Sequence, residues 1–483
     1  MHDLKVGGRE APSSRPPRRG PLGRDSIFWL VLVSILFLAA ELTPALLRMP
    51  LGTDEITYIA RTSIRVNSVS LPPVHGQGVA LLAAPVTLLT QSLTVIRVWM
   101  ALLSAIGLFL ATLCWRRLRP NWVLAIAALI FGGLAISQNS GVQVYPDWWG
   151  ALAVLALTGL VLQVVTGTTR DRVTLPSIAL ASLIIVLMRP QNIIFLMGPA
   201  LLAVVIVRPW RKPRALLAMG VGIVLGCLQW VIAAYFMYGG LATRIHSAKQ
   251  EPPNFGLYFS FFTQAKVLSG PWYCIPPHGC QGVPMPGELL WWVAFLALAG
   301  LGLWATWRTA AKASSVFAVA TAVWVVAFYS FLVPFGAPRY ITPSLALAAI
   351  LAADGVEWLV TKASWRRAGV VLACAFILSE LVSQRLVLQQ EARQQTRSRG
   401  FENVAAELRA AGVKPPCVLA STPVAYYAGC MVPWDGEHMP AFLASTPQGI
   451  KDWRPVFLPN VGQLGTVVYI PAGNVLTPPR HGA

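Results

Sequence analysis

The sequence predicts an all-α polytopic membrane protein with about eleven transmembrane helices and a small extracytoplasmic α/β tail. Three observations carry this expectation. The chain of 483 residues is 55% hydrophobic and only 12% charged, with a mean hydropathy of +0.60, far from the roughly quarter-charged make-up of soluble domains. Its apolar residues come in long runs, and a run of about 20 residues is what the hydrocarbon core demands of a helix. Its basic residues lie between those runs in short clusters.

Residues 1–24 are rich in Pro, Arg, Gly and Ser; they cannot bury a core and read as a disordered basic cytoplasmic arm. Apolar runs then suggest spans at 26–47, 93–115, 121–138, 148–166, 173–188, 192–207, 215–238, 287–307, 314–333, 340–360 and 368–388. The pair 173–188 and 192–207 also reads as one broken hairpin. The first run follows the basic arm but has no small-x-small cleavage site after it, so it is expected to stay as an anchor.

With the N-terminus in the cytoplasm, the clusters Arg116, Arg117, Arg119; Arg170, Arg172; Arg208, Arg211, Lys212, Arg214; Arg308, Lys312; and Lys362, Arg366, Arg367 all fall on one side. That is the positive-inside pattern of a multi-pass protein of the plasma membrane. It also accounts for the formal net charge of +19, so membrane lipids and not nucleic acid are the expected surroundings. An odd number of spans leaves the C-terminal tail outside.

The expected division is therefore the arm 1–24, a transmembrane domain 25–388 with long outer loops at 48–92 and 239–286, and a cap at 389–483. In the first loop "DEITYIARTSIRV" and "GVALLAAPVTLL" read as two interfacial helices. In the tail Phe401, Val404, Ala405 and Leu408 mark an amphipathic helix stopping near Gly412. "CVLAST" and "TVVYIP" read as strands, with "PVAYYAG" between them as a short helix. Cys274 with Cys280, and Cys417 with Cys430, are two close pairs confined to the outer side. Disulfides are expected where the compartment is oxidising.

Candidate chemistry is concentrated at the outer ends of the spans. Asp54 and Glu55 stand side by side in "MPLGTDEITY". They serve either as an acidic first turn or as a carboxylate pair in which one acts as general base. Asp147 in "VQVYPDWWG" is the only charged residue between Arg119 and Arg170; it is an N-cap or a group facing a polar cavity. Arg189 in "LMRPQN" and Arg339 in "FGAPRY" emerge on the same side, where guanidiniums around a cavity suit a lipid-linked phosphate. Arg97 reads as a snorkelling residue, and Asp354 and Glu380 as paired or snorkelling, the latter with Arg385.

Together these residues resemble the GT-C superfamily of integral membrane glycosyltransferases, in the branch of protein O-mannosyltransferases and the lipid A aminoarabinose transferase. The matching features are an acidic pair followed by an aromatic in "DEITYIA", which includes Tyr58; a Pro-Pro element in "LPPVHG"; an Arg inside a span in "VIRVW"; and an Arg-Tyr element in "PRYITPSLALAAI". The likeness covers roughly residues 26–350. It implies a GT-C-like fold and inverting transfer of a sugar from a polyprenyl-phosphate donor to a glycan, lipid or protein acceptor at the outer membrane face.

In that chemistry the donor already carries its leaving group, so one base and one or two cations suffice. Asp54 is the expected base, with Glu55 orienting the acceptor or raising the base's strength. Arg189 and Arg339 would hold phosphate, with Tyr340, Tyr58 and His75 as further substrate-binding residues. Asp147 would position a sugar hydroxyl or, with Asp54, hold a divalent cation through oxygen ligands; no other cofactor is implied. A transporter or lipid flippase remains the alternative, although that class favours polar groups near mid-membrane and repeat symmetry.

Overall fold

The computed structural model describes residues 26–63, 72–168, 171–250, 256–269, 272, 286–361, 364–397, 400–415, 417–419, 422–430, 453–458 and 466–471. The basic arm, Cys274 and Cys280 lie outside the described residues.

The chain opens with α1 (Phe28–Glu41) and one further turn, α2 (Pro44–Leu47). The sequence predicts a single span over 26–47, but Pro44 disfavours helical backbone at the residue before it and splits the run. The amphipathic α3 (Thr53–Thr62) and the apolar α4 (Gly78–Thr87) follow. Helix α3 buries Ile56, Ile59 and Ala60, and Thr62 Oγ1 meets Thr87 Oγ1 of α4 at 2.7 Å.

Next come α5 (Leu93–Leu113), α6 (Asn121–Gly133) and α7 (Ala135–Val142). The sequence reads 121–138 as one span, yet α6 and α7 are bent by 78° at Leu134. The Gly132-Gly133 pair precedes the break, and adjacent glycines weaken a helix interior. Gln384 Oε1 takes the Ala135 amide at 3.0 Å, satisfying one of the donors the bend releases.

Helix α8 (Pro146–Val165) is apolar all round and buried along almost its whole length, as a helix at the centre of a bundle must be. Trp148 at its start stacks between Phe37 and Phe131, with centroids 5.7 and 5.1 Å apart. Such pairs contribute about 0.5–1.5 kcal/mol each beyond their burial and fix where α8 begins. Then follow α9 (Asp171–Met188), α10 (Asn192–Phe195), α11 (Gly198–Ile206), α12 (Pro213–Met237), α13 (Leu241–Gln250), α14 (Phe261–Lys266), α15 (Pro286–Thr306), α16 (Lys312–Leu332), α17 (Thr342–Thr361) and α18 (Arg366–Arg397).

Seven described helices, α5, α8, α12, α15, α16, α17 and α18, are long and apolar enough to cross a membrane, or eight if the bent pair α6–α7 makes one crossing. The other three expected spans fall on the shorter α1, α9 and α10–α11, where Pro44, Pro190 and Pro199 interrupt the apolar runs.

Beyond α18 lie α19 (Gly400–Ala410) and α20 (Thr422–Ala428), and a hairpin of β1 (Trp453–Leu458) and β2 (Thr466–Pro471), antiparallel with Trp453 opposite Pro471 and Leu458 opposite Thr466. Helix α19 buries Ala405 and Leu408 and stops before Gly412, whose φ of +85° is the left-handed turn that glycine accepts without strain. A disulfide joins Cys417 to Cys430 across a Cα separation of 4.7 Å, the pairing expected for these two. The "TVVYIP" segment is strand β2. The expected strand at "CVLAST" reduces, among the described residues, to one bridged residue, Val418.

Candidate active site

Every charged residue of the site sits where a helix is interrupted. Proline at 146 opens α8 as its first residue and puts Asp147 in the first turn, where the helix dipole favours an anion. Pro190 ends α9 at Met188 and leaves Arg189 at its tip. Pro338 opens the single turn Pro338–Tyr340, and so presents Arg339 just before α17. Gly52, extended at the start of α3, lets Asp54 and Glu55 occupy that helix's first turn. A β-carbon at residue 52 would come within 2.3 Å of the Tyr145 hydroxyl, so glycine permits this close approach.

These ends meet. Arg339 Nη2 donates to Asp54 Oδ2 at 2.8 Å, and its Nε lies 3.6 Å from Asp147 Oδ2. Arg189 Nη2 donates to the same Asp147 oxygen at 3.3 Å. Residues separated by up to 285 positions thus form one chain of alternating charge, Asp54–Arg339–Asp147–Arg189. Aromatic rings support the cations: Arg339 lies 4.6 Å from the Tyr145 centroid and 5.4 Å from that of Tyr340, while Arg189 lies 5.3 Å from Tyr340. Tyr340 itself stacks on Tyr329 at 4.9 Å.

Glu55 does something different from its neighbour. It is fully buried against the equally buried Arg97, accepting from both terminal nitrogens of that guanidinium and from the Val144 amide at 2.9 Å. Arg97 also donates to Val142 O at 3.0 Å. The pair fastens the start of α3 to α5 and to the turn between α7 and α8. Arg97 therefore does not snorkel: an acid on the adjoining α3 offers it a partner inside the fold, and the charge is neutralised there.

Asp54 is the exposed member of the acidic pair, with 40% of its side chain accessible. Burial works against its charged form, but Arg339, by charge and by hydrogen bond, together with His75 and Arg189, outweighs it and holds the carboxyl below its ordinary range. His75 packs edge-on against Tyr58 with centroids 5.4 Å apart. Burial and then Arg189 push its imidazole down to about 3, against the pull of Asp54, so it is neutral at physiological pH. Tyr58 is raised by burial and keeps its proton. Its hydroxyl and His75 Nδ1 have no hydrogen-bond partner among the described residues.

The six substrate-binding candidates Asp147, Arg189, Arg339, Tyr340, Tyr58 and His75 thus surround Asp54, whereas Glu55 is sealed behind them. Sequence reading missed Tyr145, two residues before Asp147 in "VYPDWW", whose position beside an acid at a helix start was the available signal. It also missed Arg244, which is buried between Trp230 and Tyr238 at 4.2 and 4.4 Å. Arg244 donates to Pro73 O and His75 O at 3.1 and 3.0 Å, holding the Pro-Pro loop in place. No acid lies near it in the sequence to suggest that role.

A divalent ion does not fit this arrangement. Asp54 is engaged by Arg339, and Asp147 stands between two guanidiniums whose charge opposes a second cation. Among the described residues no group of three or more His, Cys, Asp or Glu side chains could hold a metal.

Elsewhere, Asp354 pairs with Arg119 at 2.7 Å. Glu380, expected beside Arg385, is instead buried with both oxygens unpartnered among the described residues. Five positions along α18 rotate Arg385 by about 140° from it, onto the exposed side.

The overall architecture matches solved structures. ArnT from Cupriavidus metallidurans bound to undecaprenyl phosphate superposes with a TM-score of 0.64 at 15% identity, covering 92% of this chain and 98% of that one. The apo state of the same protein gives 0.58 at 15% identity, covering 84% and 85%. No family model and no curated protein matches the chain. The chain shares the fold of these membrane proteins.

Proposed function

We propose that this protein is an integral membrane glycosyltransferase that moves a sugar from a polyprenyl-phosphate donor to a glycan, lipid or protein acceptor at the outer face of the plasma membrane. The observation that carries this reading is the Asp54–Arg339–Asp147–Arg189 chain at the meeting point of α3, α8, α9 and the turn before α17. The undecaprenyl phosphate bound to the ArnT structure of the same fold supports it. In this reading the start of α1 faces the cytoplasm, and α19 and α20, packed on each other and, through α20, on α3, cap the outer face.

Arg339 and Arg189 bind the donor phosphate, and in doing so Arg339 releases Asp54. The carboxylate of Asp54 then takes the proton from an acceptor hydroxyl. The acceptor oxygen attacks the anomeric carbon as the bond from that carbon to the phosphate oxygen breaks. Polyprenyl phosphate leaves with the electron pair, its charge held by the two guanidiniums, and the sugar is inverted. Asp147 keeps both arginines aimed at the phosphate and, with Tyr58 and the neutral His75, offers hydrogen bonds to sugar hydroxyls. Glu55 is a positioning residue, because its carboxylate is spent on Arg97 and the Val144 amide.

Reconstituted protein supplied with a labelled pool of polyprenyl-phosphate sugars tests the assignment. Asp54→Asn is expected to lower transfer by about 10²–10⁴-fold while undecaprenyl phosphate still binds. Undiminished transfer by this variant would remove Asp54 as the base.

A further inference from the structure

Helix α20 packs against α3, and the contact is specific at its centre. The Tyr427 hydroxyl accepts the Leu51 amide at 3.3 Å, so Tyr427 ties α20 to the residue preceding Gly52. Arg409 of α19 donates to the Tyr427 carbonyl at 3.0 Å, linking α19 to α20. The segment is rigid for its size. The Cys417–Cys430 disulfide spans α20, Gly429 ends that helix at φ +77°, and Cys417, Leu419, Ala425 and Cys430 are buried together with Ala405 and Leu408 of α19.

Leu51 stands three residues before Asp54. Between them Gly52 donates to Glu55 Oε2 at 3.4 Å and lies against the Tyr145 hydroxyl, and Tyr145 is the ring beneath Arg339. The first turn of α3 is thus held by the Arg97–Glu55 pair and by Tyr427 at the residue before it.

We infer that Tyr427 is a positioning residue of the active site: the disulfide-stapled C-terminal segment clamps the first turn of α3 through the Leu51 amide and so sets Asp54 against Arg339. Its activity arm rests on the transferase reading, but its structural arm does not. A hydrogen bond at the head of a ten-residue helix restrains where a carboxylate three residues on can point, and a displacement of about 1 Å is enough to cost orders of magnitude in a proton transfer.

The test compares the full-length protein with Tyr427→Phe and with the double variant Cys417→Ser/Cys430→Ser. Hydrogen exchange at the amides of residues 51–56, undecaprenyl phosphate binding and sugar transfer are measured in each. Tyr427→Phe keeps the ring and loses the hydrogen bond to the Leu51 amide. Exchange at residue 51 is expected to rise about tenfold, and kcat to fall about tenfold with undecaprenyl phosphate binding unchanged. The double variant is expected to raise exchange over the same residues with Tyr427 intact. Unaltered exchange in Tyr427→Phe overturns the clamp, as does an equal loss of kcat and phosphate binding, which would indicate general loosening. Raised exchange in a protein that transfers no sugar even when unmodified sustains the clamp and instead refutes the transferase reading.

Discussion

Two of the arginine–carboxylate clusters buried among the described residues differ in how completely they are satisfied. At one end of the bundle Arg119 donates through Nε to Asp354 Oδ1 and Oδ2 at 2.7 and 3.0 Å, through Nη1 to Ser314 Oγ at 2.8 Å and through Nη2 to Ser315 Oγ at 2.8 Å. Thr306 donates to Ser315 at 2.8 Å in turn. About 18 Å away along α17, the Asp54–Arg339–Asp147–Arg189 chain is looser. Asp147 Oδ2 is shared at 3.3 and 3.6 Å, and the Nε atoms of Arg189 and Arg339 have no hydrogen-bond partner among the described residues. The first cluster has used its hydrogen-bonding capacity on the fold. The second keeps part of it, and native proteins leave buried polar groups unsatisfied mainly where a ligand completes them.

Breaking each cluster separates the two roles. Arg119→Ala leaves Asp354 buried and unpaired among serines, and loss of one partner of a buried pair costs about 3–5 kcal/mol. The expected outcome is a lower thermal midpoint in detergent, with transfer per folded molecule unchanged. Arg339→Gln acts the other way. Asp147 retains Arg189 and Asp54 is open to solvent, so the midpoint should stay close to that of the unmodified protein. Transfer should fall by about 10²–10³-fold, as when one donor to a developing oxyanion is lost. If Arg339→Gln unfolds the protein while Arg119→Ala does not, the assignment of roles is reversed.

The same contrast shows what the amino-acid order makes legible. Asp54, Asp147, Arg189 and Arg339 stand out because each is a charge beside a proline or glycine at the edge of an apolar run, and such a charge needs a polar setting wherever the fold puts it. The disulfide between Cys417 and Cys430 is legible for a similar reason, since compartment and spacing restrict their partners. Arg97 is not legible. Its position near the start of α5 suits snorkelling as well as it suits burial, and only the placement of α3 over it decides the matter. The α6–α7 bend is also hidden, because residues 121–138 are largely apolar and the break depends on α18 supplying Gln384 to the freed Ala135 amide. Tyr427 is the extreme case, acting on a residue 376 positions away through a hydroxyl that no local pattern singles out.

The smallest expected effect discriminates most finely, because it concerns how the looser cluster titrates. The groups facing Asp54 are Arg339, Arg189 and His75. His75, held down to about 3, carries no charge across the working range, so kcat/KM should show no inflection near about 6.5, where an unperturbed histidine would titrate. Asp54 must be deprotonated to act, and its carboxyl lies below the ordinary range in the free protein. The acid limb of kcat/KM, which reports the free enzyme, is therefore expected below the ordinary carboxylate value of about 3.9. When donor phosphate engages Arg339, the principal charge holding Asp54 down is diverted, and the acid limb of kcat, which reports the bound state, should move to higher pH. His75→Gln should change rates by about twofold, the worth of a fraction of one neutral hydrogen bond, and, because protonated His75 is one of the charges that hold Asp54 down, move the acid limb of kcat/KM to higher pH. Coincident limbs for kcat and kcat/KM would mean that Arg339 stays on Asp54 throughout turnover, and the looser cluster would then serve the fold just as the tighter one does.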